Sequence, residues 1–391
     1  MLVISNDVIP GFGVPVAAPG LRAAGLAEGL RANGIDVEIA VPSDVLANVF
    51  GPNTPTAPAG STIVSPQDLP DHIVKGSFHV VLFINANLTP HLRPIDGVHF
   101  VYDMFAPKVL EALASAEQPR RWQAMATEKE RALALADSVW VNGERKLGYA
   151  VGWMLRNEVD RIRTVEFKKR SLVEGDLFEH MHVVEMPVPL PIGFDIDASS
   201  AGSEANIRIG IGGYSQTWST LSAVHMGHRA LIEAGHELHA LLPAHWGRGA
   251  SKAPTSQLPV EAVVHDGPLL YDDFATWVQS MNAMVDVFEP SPERRFAMIT
   301  RTAVALRLGV PVIHAVDSEV ADLIRNHDAG WVIQPNDLDA WKLVTSEIAD
   351  PVVLARKRAG ARLVSLEHFA PVAALRGAAA SLLELEAKGW A

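Results

Sequence analysis

The chain has 391 residues, of which 48% are hydrophobic and 20% charged, and its formal net charge is −12. A single hydrophobic core rarely grows beyond about 250–300 residues, so this length predicts two domains. The negative charge argues against a protein whose main partner is nucleic acid, because such proteins present basic surfaces. The sequence contains no cysteine, which excludes disulfides, thiolate catalysis and cysteine-based metal sites.

The first ten residues, MLVISNDVIP, predict a strand rather than a signal peptide, because they contain no basic region followed by an apolar run and a cleavage site. No apolar run approaches the about 20 residues that are needed to span a bilayer. We therefore expect a cytoplasmic protein.

Short apolar runs in the first half predict strands, and helical patterns lie between them, which is the order of a parallel α/β sheet. The runs cover residues 2–5, 37–41, 79–84, 98–102, 138–141 and 182–186. Gly11 and Gly13 follow the first run and would let the backbone approach a ligand, although a plain loop explains them equally well. Asp103 follows the fourth run, at the edge where parallel sheets place functional side chains; a helix N-cap is the alternative.

Two segments interrupt this pattern. Residues 161–170, RIRTVEFKKR, form a basic cluster in an otherwise acidic chain. We interpret it as a solvated loop or, alternatively, as a contact with an anionic acceptor or with the inner face of the membrane, where the protein would be peripheral. Residues 187–206 are rich in Pro, Gly, Ser and Asp and predict a linker between domains.

The second half repeats the alternation of strands and helices. Its apolar runs cover residues 207–211, 236–242, 260–264, 283–288 and 310–315, and helical patterns cover 337–348, 351–368 and 371–387. The strands ending at Phe288 and Ala315 are each followed by a helix, the first reaching to near Gly309 and the second capped by Asp317-Ser318. Two helix N-termini on one sheet edge predict a site for an anionic ligand.

Several short motifs stand in order along the chain: P-G-L-R (19–22), Y-D (102–103), L-E (110–111), G-E-R (143–145), G-G-Y (212–214), G-V-P-V-I (309–313) and A-G-W-V-I (329–333). In this order and spacing they resemble bacterial family 4-like glycosyltransferases. The resemblance implies the α/β GT-B fold, with two Rossmann-like domains whose parallel sheets face each other across a cleft. Residues 1–192 would form the acceptor-side domain and 205–370 the donor-side domain. Residues 371–391 would form a helix that crosses back to the N-terminal domain.

The resemblance also suggests site residues. Asp103 and Glu293 are the catalytic candidates, and Arg22 and Glu144 are the candidates on the acceptor side. The donor-binding candidates are Gly13, Gly213, Tyr214, His245, Arg295, Arg301, Asp317 and Ser318.

One departure from the family concerns the carboxylates of the donor site. Many family members carry a Glu-x7-Glu pair where this chain has Phe296 and Val304, so both carboxylates are missing. We expect Glu293 and Arg301 to replace them, with a structural ion pair as the alternative role for Arg301.

The function implied by the resemblance is transfer of a sugar from a nucleotide-diphosphate donor to an acceptor hydroxyl, with retention, in polysaccharide, glycolipid or specialised-metabolite biosynthesis. The nucleotide sugar is a substrate, and the resemblance implies neither a cofactor nor a metal. The acceptor would be a carbohydrate, a lipid-linked molecule or a small molecule. The alternatives are a non-catalytic partner subunit, which the missing Glu pair favours, and another GT-B enzyme such as a sugar-nucleotide epimerase or a phosphorylase.

Overall fold

The computed structural model of the chain describes residues 1–51, 55–114, 121–164, 181–196, 207–214, 225–242 and 258–387. The strands are β1 (Leu2–Ile4), β2 (Glu38–Pro42), β3 (Ser61–Val64), β4 (Val80–Ile84), β5 (His99–Met104), β6 (Ser138–Val141), β7 (Met181–Val183), β8 (Arg208–Gly212), β9 (Glu237–Leu241), β10 (Val263–Val264), β11 (Ala283–Asp286), β12 (Val312–Ala315) and β13 (Gly330–Ile333). The helices are α1 (Ala18–Ala32), α2 (Ser43–Phe50), α3 (Leu69–Lys75), α4 (Lys108–Ala114), α5 (Arg121–Leu135), α6 (Glu144–Thr164), α7 (His225–Glu233), α8 (Tyr271–Gln279), α9 (Pro292–Phe296), α10 (Thr300–Arg307), α11 (Glu319–Asn326), α12 (Leu338–Ile348), α13 (Pro351–Val364), α14 (Pro371–Ala374) and α15 (Arg376–Ala387).

The first of two compact units contains residues 1–12, 16–187 and 371–391. Its described strands form one parallel sheet in the order β3-β2-β1-β4-β5-β6-β7. Every residue of β4, V-V-L-F-I, is buried, which is typical of a parallel strand covered on both faces. The strand order reverses between β1 and β4, where Ile4 lies opposite Phe83. The carboxyl ends of β1 and β4 therefore lie side by side, and the chain leaves both strands at that end of the sheet.

The second unit contains residues 13–15 and 188–370. Its described strands form a parallel sheet in the order β10-β9-β8-β11-β12-β13, which reverses between β8 and β11. Trp341 is 1% exposed in the core, and its indole Nε1 donates a hydrogen bond to the Pro335 carbonyl at 3.0 Å. Two parallel α/β sheets with this strand order confirm the predicted Rossmann-like fold class.

The predicted strands are confirmed, with ends that differ by a few residues, and the helix predicted to end near Gly309 is α10, which ends at Arg307. Upstream of it, Pro292–Phe296 form the additional short helix α9, and the three residues between the two helices, Ala297, Met298 and Ile299, are all buried. Ala297 and Ile299 have extended backbones, with ψ of 132° and 106°. An apolar tripeptide that turns into the core ends the first helix, because continuing the helix would have exposed part of it.

The C-terminal helices α14 and α15 belong to the first unit, where α14 packs against α1. A Cβ atom added at Gly29 of α1 would lie 2.3 Å from the Pro371 carbonyl oxygen, so the two backbones are in direct contact. The Asn33 side chain donates a hydrogen bond to the Val372 carbonyl at 3.0 Å. Leu375, Ala379 and Leu382, which share one face of this C-terminal segment, are buried.

Candidate functional site

A buried carboxylate, Asp286, ends β11 at the point where the order of the second sheet reverses. Its Oδ2 accepts hydrogen bonds from Arg294 Nη2 and Thr302 Oγ1, both at 2.9 Å, and lies 3.2 Å from His314 Nδ1. Arg301 Nε stands 3.5 Å from the other oxygen, Oδ1. Side chains from α9, α10 and β12 thus converge on one carboxylate that is 2% exposed.

The charge state of this cluster follows from its burial. Burial alone would raise the pKa of the Asp286 carboxyl, but Arg294 and the His314 hydrogen bond outweigh it and hold the pKa well below its usual range. Burial lowers the pKa of His314, so the imidazole is neutral. Because a carboxylate only accepts hydrogen bonds, Nδ1 of His314 carries the proton and Nε2 is an acceptor. Two guanidinium groups therefore face one carboxylate, and Glu293 adds a second negative charge near Arg301.

Ser318 continues the cluster toward the start of α11. Its hydroxyl lies 2.5 Å from His314 Nε2 and accepts a hydrogen bond from the Ala321 backbone N–H at 3.3 Å. The order Ser318–His314–Asp286 is that of a hydrolase triad. However, Ser318 is 1% exposed, and its hydroxyl both donates and accepts within the protein. We interpret it as the N-cap that fixes the start of α11, which confirms the predicted cap.

Arg301 connects this cluster to the glycine turn after β8. Its Nη2 donates a hydrogen bond to the Tyr214 carbonyl at 3.2 Å, and its Cζ lies 4.8 Å from the centre of the Phe288 ring. Gly213 has a φ of 109°, which a residue with a side chain rarely adopts, and a Cβ there would be 3.6 Å from Arg301. Arg301 Nη1 is buried and has no hydrogen-bond partner among the described residues.

The remaining donor-side candidates of the second unit lie in the two turns that precede α9 and α11. Arg295 and Asp317, one from each turn, form an exposed ion pair at 3.5 Å. Glu293 is half-buried in the first turn of α9. Burial lowers the pKa of Arg301, and the charges of Asp286 and Glu293 act in the opposite direction. Glu293 therefore lies close enough to Arg301 to interact with it electrostatically.

Two other candidates, Arg22 and Asp103, pair with each other inside the first unit. Arg22 donates from Nε and Nη2 to the two carboxylate oxygens at 3.0 and 2.8 Å, and from Nη1 to the carbonyls of Val184 and Glu185. Both side chains are fully buried. This geometry favours a structural role for both, because neither side chain has a solvent-accessible atom with which to act on a substrate.

The edge of the first sheet carries two amides that the sequence reading did not single out. Asn6 and Asn85 lie two residues beyond the paired Ile4 and Phe83, at neighbouring strand ends. Asn6 Oδ1 and Asn85 Nδ2 are buried and have no partner among the described residues. One is an acceptor and the other a donor, the combination that suits a hydroxyl group.

A small pocket is lined by Asn85, Tyr102, Glu128 and Lys129, among other residues. Lys129 is 2% exposed, and its Nζ donates a hydrogen bond to Tyr149 Oη at 3.1 Å. Burial lowers the pKa of Lys129 to about 7. A lysine with this pKa is partly uncharged at neutral pH.

The other sequence candidates are dispersed or lie outside the described residues. Gly13 has a φ of 72° in the loop after β1, and Glu144 is exposed in the first turn of α6. His245 lies outside the described residues, as do residues 165–170 and the side chains of 161–164 from the basic cluster. Sequence reasoning does not identify Asp286, because the predicted apolar run 283–288 continues past it, whereas β11 ends at Asp286 in the structure.

Comparison with solved structures shows similarity over nearly the whole chain. Sucrose-phosphate synthase from Thermosynechococcus elongatus has a TM-score of 0.66 at 14% identity, covering 99% of this chain and 98% of that one. HepE from Anabaena, in complex with UDP and glucose, has a TM-score of 0.59 at 12% identity, with 98% and 99% covered. WaaG, a glycosyltransferase involved in lipopolysaccharide biosynthesis, has a TM-score of 0.56 at 11% identity, with 97% and 98% covered. The chain has the GT-B fold.

No family model matches the GT-B chain, and no curated protein matches it. None of its described helices combines the length and apolar character needed to cross a membrane.

Proposed function

We propose that the chain is a glycosyltransferase that binds the diphosphate of a nucleotide sugar at the reversal point of its second sheet. The observation that carries the proposal is the Arg301 guanidinium, which Asp286 and the Tyr214 carbonyl fix in place while Nη1 stays buried and unpaired among the described residues. A buried charged N–H without an acceptor is costly, and a phosphate oxygen would satisfy it.

The comparisons support this proposal through the shared fold. The HepE structure contains UDP and glucose, and its fold extends over 98% of this chain. Open α/β sheets bind ligands at the carboxyl ends of their strands where the strand order reverses, and Gly213, Asp286 and Arg301 surround that position here.

In the proposed mechanism, Arg301 and the backbone of the glycine turn stabilise the negative charge that grows on the leaving diphosphate. The leaving phosphate oxygen takes the proton of the acceptor hydroxyl, and the configuration is retained. This route needs no Asp/Glu pair, in keeping with Phe296 and Val304 at the positions of the family's carboxylates. Glu293 would hydrogen-bond the hydroxyl groups of the donor sugar.

On the acceptor side we propose Asn6 and Asn85. Their unpaired Oδ1 and Nδ2 atoms would bind hydroxyl groups of the acceptor, one as acceptor and the other as donor. This assignment replaces Arg22, which is fully engaged with Asp103.

A second candidate function is a non-catalytic GT-B subunit. It is favoured by Val304, which is 2% exposed and part of the core, where a catalytic family member would carry a carboxylate. Such a protein would bind a partner chain and would not turn over a nucleotide sugar.

Nucleotide binding and turnover separate these proposals. A panel of nucleoside diphosphates and nucleotide sugars is tested by calorimetry, followed by release of nucleoside diphosphate in the presence of acceptor mixtures. A glycosyltransferase binds one nucleotide and releases it in turnover, whereas a non-catalytic subunit gives no release with any donor.

Variants then test the site itself. Arg301→Lys is expected to weaken nucleotide binding at least about tenfold, because a lysine lacks the second N–H arm. Glu293→Gln is expected to lower turnover or donor affinity at least about tenfold. Arg325→Lys is the matched control, since Arg325 forms an exposed pair with Asp322 in α11. Binding and turnover within twofold of wild type for Arg301→Lys and Glu293→Gln would reject the site.

A further inference from the structure

Two histidines and a glutamate meet on the second unit, away from the cluster around Asp286. His327 follows α11 directly, and Glu367 and His368 lie in a π-helical turn, Ser365–Phe369, that follows α13. One ligand atom from each of the three side chains lies within 4.8 Å of the other two, and among the described residues this is the only such group.

His327 is oriented in the way that metal ligands usually are. Its Nδ1 lies 3.0 Å from the Leu323 carbonyl oxygen, which can only accept, so Nδ1 carries a proton. The other ring nitrogen, Nε2, points to Glu367 Oε2 at 3.1 Å. A histidine that binds a metal through one nitrogen commonly donates the other N–H to a carbonyl, which fixes the tautomer and the ring. The His368 ring stands edge-on to it, with centroids 5.3 Å apart.

The backbone under these side chains is closely packed. A Cβ added at Gly360 of α13 would lie 2.2 Å from the His327 carbonyl oxygen, so α13 and the end of α11 are in direct contact. Asp328, with a φ of 53°, is bonded to both Arg356 and Lys357 of α13. π-helical turns occur frequently at functional sites, and this one presents Glu367 and His368 beside His327. Preformed geometry on packed helices is what a metal site requires.

We propose that His327, Glu367 and His368 bind a divalent transition metal, for which Zn²⁺ is the best fit. Two imidazoles and one carboxylate are a zinc donor set that leaves a fourth position for water. Imidazole ligands disfavour Mg²⁺ and Ca²⁺, which prefer oxygen. The ion would join the end of α11 to the last turn before Ala370, where the chain leaves the second unit. This proposal is independent of the sugar-transfer function.

Another group of two histidines and one glutamate shows why proximity alone is insufficient. His239 contacts His265 through Nδ1 at 2.9 Å and Glu237 through Nε2 at 3.2 Å. The two partners therefore lie on different sides of the His239 ring and cannot share one ion with it. At the proposed site, by contrast, one ligand atom from each of the three side chains lies within 4.8 Å of the other two.

Metal binding is tested on the full chain, free of any affinity tag and stripped with a chelator. Calorimetric titration with ZnCl₂ and with MgCl₂ gives the stoichiometry and the affinity, and Co²⁺ substitution gives a visible absorption band for a low-coordinate site. We expect one tightly bound Zn²⁺ per chain, a Co²⁺ band, and no comparable binding of Mg²⁺.

Three single variants test the ligands: His327→Gln, Glu367→Gln and His368→Gln. Each is expected to weaken Zn²⁺ binding at least tenfold and to abolish the Co²⁺ band. The matched control is His72→Gln, because His72 forms a pair with Glu38 at the same 3.1 Å but without a third ligand. Far-UV circular dichroism establishes that each variant is folded. Absence of a tight site in the wild type, or tight binding that survives all three substitutions, would overturn the proposal.

Discussion

The Arg22 guanidinium and the Asp103 carboxylate face each other through two hydrogen bonds, of 3.0 and 2.8 Å, and neither group is exposed. The pair joins α1 to the end of β5. Nη1 of Arg22 also donates hydrogen bonds to the carbonyls of Val184 and Glu185, which follow β7. A buried pair of this kind contributes little compared with apolar residues of the same shape, but removing one partner leaves a charge without compensation.

Arg22→Lys is therefore expected to reduce the free energy of unfolding by about 3–5 kcal/mol, because an ammonium cannot replace four N–H contacts. Urea denaturation followed by circular dichroism measures the change. The control is Arg229→Lys in the exposed pair with Glu233, where a change within about 0.5 kcal/mol is expected. Equal effects of the two substitutions would contradict the structural role of Arg22.

Because of Asp286, we expect the free energy of unfolding to depend on pH in the acidic range. Its folded-state pKa lies below the ordinary value, so its contribution is present above the unfolded-state pKa of about 3.9 and is lost as the pH falls below it. Asp286→Asn should cost about 3–5 kcal/mol at pH 7, because Arg294 and Arg301 lose their counter-charge. The difference between wild type and variant should shrink progressively as the pH falls from about 4 to about 2. A difference that is constant over this range would show that Asp286 is not the linked group.

Lys129 predicts a second rise of stability with pH, in the alkaline range. Its folded-state pKa is about 7, and the unfolded value is about 10.4, so the unfolded chain binds the extra proton between these limits. Stability should therefore rise with pH between about 7 and 10, by up to about 1.4 kcal/mol per pH unit from this group. Lys129→Met should remove that slope. Urea denaturation of both proteins at pH 7, 8.5 and 10 measures it, and parallel pH profiles would contradict a depressed lysine pKa.

Ser318 and Ser291 are both N-caps, but only Ser318 also binds a buried histidine. Ser291→Ala should cost about 1 kcal/mol, the usual value of a cap. Ser318→Ala should cost a further 1–3 kcal/mol, roughly, because His314 Nε2 loses its donor. Thermal and urea denaturation of the two variants give the comparison. Ser318 should also stay unlabelled by a fluorophosphonate probe, and labelling would mean that the hydroxyl is a reachable nucleophile.

The close contact at Gly29 allows the packing of the C-terminal helices against α1 to be tested. A Cβ at this position would meet the Pro371 carbonyl at 2.3 Å, so Gly29→Ala should displace α14 and destabilise the first unit by about 1–3 kcal/mol. Gly148→Ala is the matched control on helix α6, where no atom lies within 4 Å of the added Cβ. There the same substitution should stabilise by about 0.5–1 kcal/mol through helix propensity. Limited proteolysis should release residues after 370 faster from Gly29→Ala only.

The secondary-structure elements and their order can be predicted from the sequence alone. In near-continuous apolar runs such as residues 80–84, side chains on both faces of the strand must be buried. Such runs therefore predict a parallel sheet that is covered on both faces. Local chemistry also suffices for a helix start such as Ser318, because a cap bonds to a backbone group three residues away. The alternation of strands and helices then predicts two parallel α/β domains, and the order of the short motifs adds the resemblance that implies the GT-B fold.

Which charged groups form pairs can be seen only in the tertiary structure. Arg22 and Asp103 are 81 residues apart, and His327 and Glu367 are 40 apart, so no spacing rule connects them. The separation of α9 from α10 has a related cause, since burial of Ala297 to Ile299 depends on the core that they enter. Periodicity records which face of an element is apolar, whereas the partner of a buried charge is set by the strand order and the packing that bring distant segments together.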